Sequence, residues 1–146
     1  MKPSKNCIDL IKHFEGFSST PYVCSGGKLT IGYGHTATVK EGMEVTEEEA
    51  EDLLTEDLKY AAECVEEYCD VDLTQGQFDA LCSFTFNLGC QAYRSSTLLR
   101  LLVNGNVEAA SQQFGRWVHG GGKVLPGLVK RREAERKLFN GIMPSL

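Results

Sequence analysis

A chain of 146 residues with 42% hydrophobic and 24% charged residues has a globular composition and can bury one sizeable core, so a single domain over residues 1–146 is expected. The net charge of −5, without any nucleic-acid-binding signature, argues against nucleic acid as a partner. The opening stretch MKPSKNCIDLIKHFEGF is interrupted by Lys5, Asp9, Lys12 and Glu15, and the apolar LLRLLV is short and broken by Arg100; neither a signal peptide nor a stable membrane anchor is expected, and the product is expected to be soluble and made in the cytoplasm.

In chain order, Ser4 is placed to cap a first helix in which Ile8, Ile11 and Phe14 recur at near-helical spacing, with Gly16 as its stop and Glu15 at its end. The following TPYVCSGGKLTIGYGHT is rich in Gly, Thr and Tyr, with turn residues at Ser25, Gly26 and Gly27, and predicts a small antiparallel sheet facing that helix across a cleft. Thr46 with Glu49 forms a capping box that opens a long amphipathic helix towards Tyr68, long enough to join two lobes. Thr74 with Gln77 is a second capping box, opening an apolar core helix that ends at Gly89. Helical patterns follow around residues 96–103, 107–118 and 126–140, separated by Asn104-Gly105-Asn106 and Gly120-Gly121-Gly122.

Charge is distributed unevenly. Fourteen acidic residues against Lys59 alone lie between Glu41 and Asp72, and basic residues predominate from Lys123 to Lys137. Both blocks are expected to be solvated helix faces, the alternative for the basic one being contact with an anionic polymer or membrane surface. The six cysteines, Cys7, Cys24, Cys64, Cys69, Cys82 and Cys90, lack zinc-ligand spacing; no metal site is expected. In a reducing compartment they start as thiols, mostly small core hydrophobes, and a disulfide formed later has no connectivity that sequence assigns.

The chemistry concentrates in HFEGFSSTPYVCSGGKLTIGY, which sets a carboxylic acid at a helix end, a thiol near one strand and a hydroxyl on the next. The ordered pattern Glu15-(x)8-Cys24-(x)5-Thr30, followed by Ile31-Gly32-Tyr33-Gly34-His35, resembles the active-site signature of phage-type lysozymes, with Cys at a position more often Asp. The likeness continues through DALCSFTFNLG (79–89), residues 96–100 and Gly127-Leu128-(x)2-Arg131-Arg132-(x)2-Glu135. The resemblance implies a two-lobed α+β fold, mainly α: a small β-containing lobe over about residues 14–60 and a helical lobe from about 1–13 plus 61–146. It also implies an endolysin that hydrolyses the β-1,4 bond between N-acetylmuramic acid and N-acetylglucosamine in peptidoglycan and so lyses the bacterial host. No cofactor is implied. Such a protein is a monomer that reaches the wall from the host cytoplasm through a lesion made by a separate holin.

Carried over by position, Glu15 is the general acid, a role that partial burial supports by keeping a carboxyl protonated. Thr30 positions the attacking water, and Cys24 takes the place of a carboxylate that would stabilise an oxocarbenium-like transition state. A neutral thiol supplies little negative charge, so Cys24 acts as a thiolate only if neighbours such as Lys28 or His35 lower its pKa; the alternative is that it merely packs. Gly34 and Thr36 are expected near the saccharide, Tyr22 and His35 as structural residues beside the site, and Trp117 either in the core or at a cleft edge stacking on sugar. Two other function classes fit the residues: a wall-peptide hydrolase with Cys24 as nucleophile and His35 as base, and a non-enzymatic wall-binding protein that keeps the fold.

Overall fold

The computed structural model describes residues 1–146. The first helix, α1 (Lys5–Glu15), starts where Ser4 Oγ accepts from the Asn6 N–H, and it buries Cys7, Leu10 and Ile11, a stripe at i, i+3 and i+4. Ser4 also binds Asp79 through its backbone N–H and hydroxyl, tying the start of the chain to the central helix. After α1, strands β1 (Ser18–Val23) and β2 (Leu29–Gly32) form an antiparallel hairpin that pairs Tyr22 with Thr30 and Val23 with Leu29. Its turn closes through Cys24 N–H to the Lys28 carbonyl and Gly27 N–H to the Cys24 carbonyl, both at 2.9 Å.

Helix α2 (Glu47–Tyr68) begins at the complete Thr46/Glu49 capping box, and its 22 residues span about 33 Å between the lobes. Ile31, Val45 and Ala50 make a small separate core under the hairpin. The main core gathers 24 buried residues around α3 (Gln75–Leu88), which opens at the Thr74/Gln77 box and is buried over most of its surface. The short helices α4 (Cys90–Arg94), α5 (Thr97–Val103) and α6 (Val107–Gln113) wrap this core and lead through a 3₁₀ turn, Phe114–Arg116, to α7 (Pro126–Phe139). Gly76 permits α7 to press against α3, since a Cβ there would overlap the Leu138 carbonyl oxygen. The result is the expected α+β, mainly helical, two-lobed fold.

Several local expectations change. Helix α4 has no sequence signal because five residues are too short for a 3.6-residue period to register. The Gly120-Gly121-Gly122 separator is the turn region of a small hairpin, β3 (His119–Gly120) with β4 (Lys123–Val124). The helix expected to reach Val118 gives way at Phe114, whose ring packs edge-on against Phe84 and Phe139. The basic C-terminal block is not a uniformly solvated face: Arg131 and Arg132 are buried with Glu135, because on α7 their spacing turns them towards α3 while Lys130 and Glu133 stay exposed. One disulfide joins Cys64 of α2 to Cys90 at the start of α4, with Cα atoms 5.9 Å apart; the other four cysteines are free thiols. No helix is long and apolar enough to cross a membrane.

Candidate functional site

Glu15 stands at the last turn of α1, where the helix stops and the chain turns into the hairpin. Its side chain is 19% exposed, and Arg131 Nη1 donates to Glu15 Oε2 at 2.7 Å. Behind this pair lies a buried network. Arg131 Nε donates to Glu135 Oε2 at 3.4 Å, Arg132 Nη1 to Glu135 Oε1 at 2.5 Å, Ser83 Oγ to Glu135 Oε2 at 2.5 Å, and Arg132 Nη2 to Asn87 Oδ1. A charge-assisted chain therefore runs from the carboxylate on α1 into the packed α3–α7 interface and fixes the orientation of Glu15.

On its other side Glu15 meets Gly34. A Cβ on Gly34 would lie 2.6 Å from Glu15 Oε1 and 2.8 Å from its carboxyl carbon, and the residue's φ of +83° is itself unfavourable for any side chain. Gly34 is thus the backbone surface on which the carboxylate rests. His35, next along, is 5% exposed, with Nδ1 2.7 Å from Asp57 Oδ2 of α2 and Nε2 2.8 Å from Thr38 Oγ1. It clamps the small lobe to the linking helix.

Tyr22, Cys24 and Thr30 sit on the hairpin. Burial pushes the Tyr22 phenol up, and the charges of Glu15 and Cys24 add to the effect. The Cys24 thiol is held below its ordinary range, first by the Thr30 hydroxyl and then by the backbone at Lys28, with modest burial opposing. Basic side chains, the cause the sequence pointed to, are not what lowers it. Thr30 is 3% exposed and donates to the Lys28 carbonyl at 2.9 Å.

A cleft of about 250 Å³ opens beside Glu15, lined by Gly34 and Thr36 from the small lobe, Asp57 and Tyr60 from α2, and Phe86 and Cys90 from the helical lobe. Trp117 is not part of this lining; its ring packs edge-on against Phe84 at 5.5 Å between centroids, against the main core. Of the residues singled out from sequence, Gly34 and Thr36 line this cleft and Glu15 rests against Gly34; Tyr22, Cys24 and Thr30 lie together on the hairpin, His35 is turned to Asp57 and Thr38, and Trp117 packs against the core. Sequence reasoning attached no role to Arg131, Asp57, Tyr60 or Phe86. Arg131 lies 116 positions from Glu15, and only tertiary packing shows which helix faces the carboxylate. Both ring nitrogens of His35 are engaged, so neither is free to serve Cys24 as a base, and the wall-peptide hydrolase reading loses its second residue.

The profile of the family described as Phage lysozyme matches residues 12–135. The chain is 42% identical over 143 residues to an endolysin of Acyrthosiphon pisum secondary endosymbiont phage 1, covering 95% of this chain and 98% of that one. It is 46% identical over 142 residues to an endolysin of Bacillus phage B103, of which it spans about half the length, 54%, against 95% of its own. Among solved structures, the muramidase domain of SpmX from Asticaccaulis excentricus superposes with a TM-score of 0.88 at 41% identity, covering 94% of this chain and 97% of that one. By the extent of these matches, the chain belongs to the phage lysozyme family.

Proposed function

We propose that this protein is an endolysin that hydrolyses the β-1,4 bond between N-acetylmuramic acid and N-acetylglucosamine in peptidoglycan. In this reading Glu15 protonates the leaving glycosidic oxygen, and the Arg131 guanidinium stands opposite the carboxylate that remains. Cys24, on the facing hairpin, supplies as a thiolate the negative charge that stabilises the oxocarbenium-like transition state, and Thr30 orients the attacking water. The observation that carries the reading is the half-buried Glu15 carboxylate, held by Arg131 against Gly34, which itself lines the cleft.

The test is wall hydrolysis followed by released reducing ends. Glu15→Gln is expected to abolish detectable release, and lysis at the wild-type rate would overturn the acid role. Cys24→Ser should lower the rate by about 10²-fold or more and Cys24→Asp should restore most of it, since a carboxylate supplies the same charge. An unchanged rate in Cys24→Ser would remove the thiol from the mechanism.

A further inference from the structure

Tyr60 is the most exposed large apolar side chain of the protein, at 73%, and its ring lies outside both buried clusters. Of the other tyrosines, Tyr33 packs with Phe17 and Lys12, Tyr68 with Arg94 and Tyr93 in the core, while Tyr22 on the hairpin is 37% exposed, half as much as Tyr60. Tyr60 instead lines the cleft between the lobes, one helical turn after Asp57 and one turn before Cys64 on the same side of α2. Both of those neighbours are tied down, Asp57 to His35 of the small lobe and Cys64 by its disulfide to Cys90 of the helical lobe. The ring therefore stands on a stretch of cleft wall anchored from both sides.

We infer that Tyr60 is a stacking platform for a pyranose ring of the bound glycan, an outer subsite on the α2 wall; the inference rests on reading this cleft as the glycan site. The C–H face of a β-linked N-acetylhexosamine is apolar and flat and matches the face of a phenol ring. The charge of α2 favours this occupant. Exposed Glu56 and Glu63 flank Tyr60, so a neutral sugar is accommodated where the carboxylates of a peptide stem would be repelled.

The probe is an uncharged β-1,4-linked N-acetylglucosamine oligosaccharide, titrated into Glu15→Gln protein so that binding is read without turnover. Tyr60→Ala is expected to weaken binding by about threefold to tenfold, the scale of one aromatic contact, and Tyr60→Phe to bind as the parent does. In the otherwise unaltered chain Tyr60→Ala should raise KM by a similar factor with kcat unchanged. Thermal unfolding at the parent temperature confirms that the exposed substitution leaves the fold intact. Unchanged affinity in Tyr60→Ala, or an equal loss in Tyr60→Phe, overturns the stacking role. Turnover of glycan by Glu15→Gln overturns the acid assignment instead, and the binding comparison between Tyr60 variants stands apart from it.

Discussion

Glu15 shows how much a single side chain depends on what lies behind and beside it. Arg131 holds one carboxylate oxygen, and Gly34 presents bare backbone to the other. Gly34→Ala is expected to push the carboxylate out of place and to lower kcat/KM for wall hydrolysis by about tenfold to a hundredfold, because ångström-scale misplacement of a catalytic group is that costly. The circular dichroism spectrum should stay native, and full activity in this variant would show that the close approach does not matter. Cys24 is the second residue whose environment sets its chemistry. Its thiol is lowered, whereas those of Cys7, Cys69 and Cys82 are raised by burial. A lowered thiol ionises at lower pH, so iodoacetamide should modify Cys24 alone in native protein, with a rate midpoint below that of free cysteine measured alongside. Thr30→Val removes the largest stabiliser of the thiolate and should move that midpoint upward; a midpoint at or above free cysteine in the parent would contradict the assignment.

At the scale of elements, α7 does two things with one run of charge. Lys137 and Glu133 form an exposed pair, 42% and 57% exposed at 3.9 Å, whereas Arg131, Arg132 and Glu135 are buried against α3. Exposed pairs contribute little, while removing one partner of a buried ionic network leaves uncompensated charge. Burial already pulls Arg132 below the ordinary guanidinium range, with Glu135 opposing that shift. Glu135→Gln should therefore destabilise by about 3–5 kcal/mol and depress hydrolysis through the loosened Arg131, whereas Glu133→Gln should change stability by less than about 0.5 kcal/mol. Urea unfolding of the two variants checks the contrast, and equal midpoints would refute it. The run KRREAERK looks like one basic helix face in sequence, and helix periodicity alone does not say that two of its arginines point inward.

For the whole molecule, α2 and the Cys64–Cys90 disulfide decide how the lobes are held. The bond closes a loop across 26 positions of sequence, linking the helix that spans the lobes to the helical lobe beside the cleft. In the chain-entropy account a loop of that length stabilises by about 3.5 kcal/mol. Cys90→Ser, or reduction with excess dithiothreitol, should lower the stability measured by urea titration by about that amount; an unchanged midpoint would mean that the bond does not form in solution. The consequence is a protein more robust with the bond oxidised than with it reduced.

The longer helices, the first hairpin and the candidate reacting groups were legible in the sequence, whereas α4 and the β3–β4 hairpin were not. Ser4, Thr46 and Thr74 announce helix starts because capping is a local matter, and the Glu15, Cys24, Thr30 spacing is legible because all three lie on one helix–hairpin unit. Tertiary structure decided what joins residues far apart in the chain. It paired Glu15 with Arg131, His35 with Asp57 and Cys64 with Cys90, sent Trp117 to the core, and set Tyr60 and Phe86 on the cleft walls. The physical reason is common to all of these. Periodicity and capping specify each element's shape and apolar stripe, but the partner of a buried charge or an exposed ring depends on how whole helices pack, and that packing is written in no local stretch of chain.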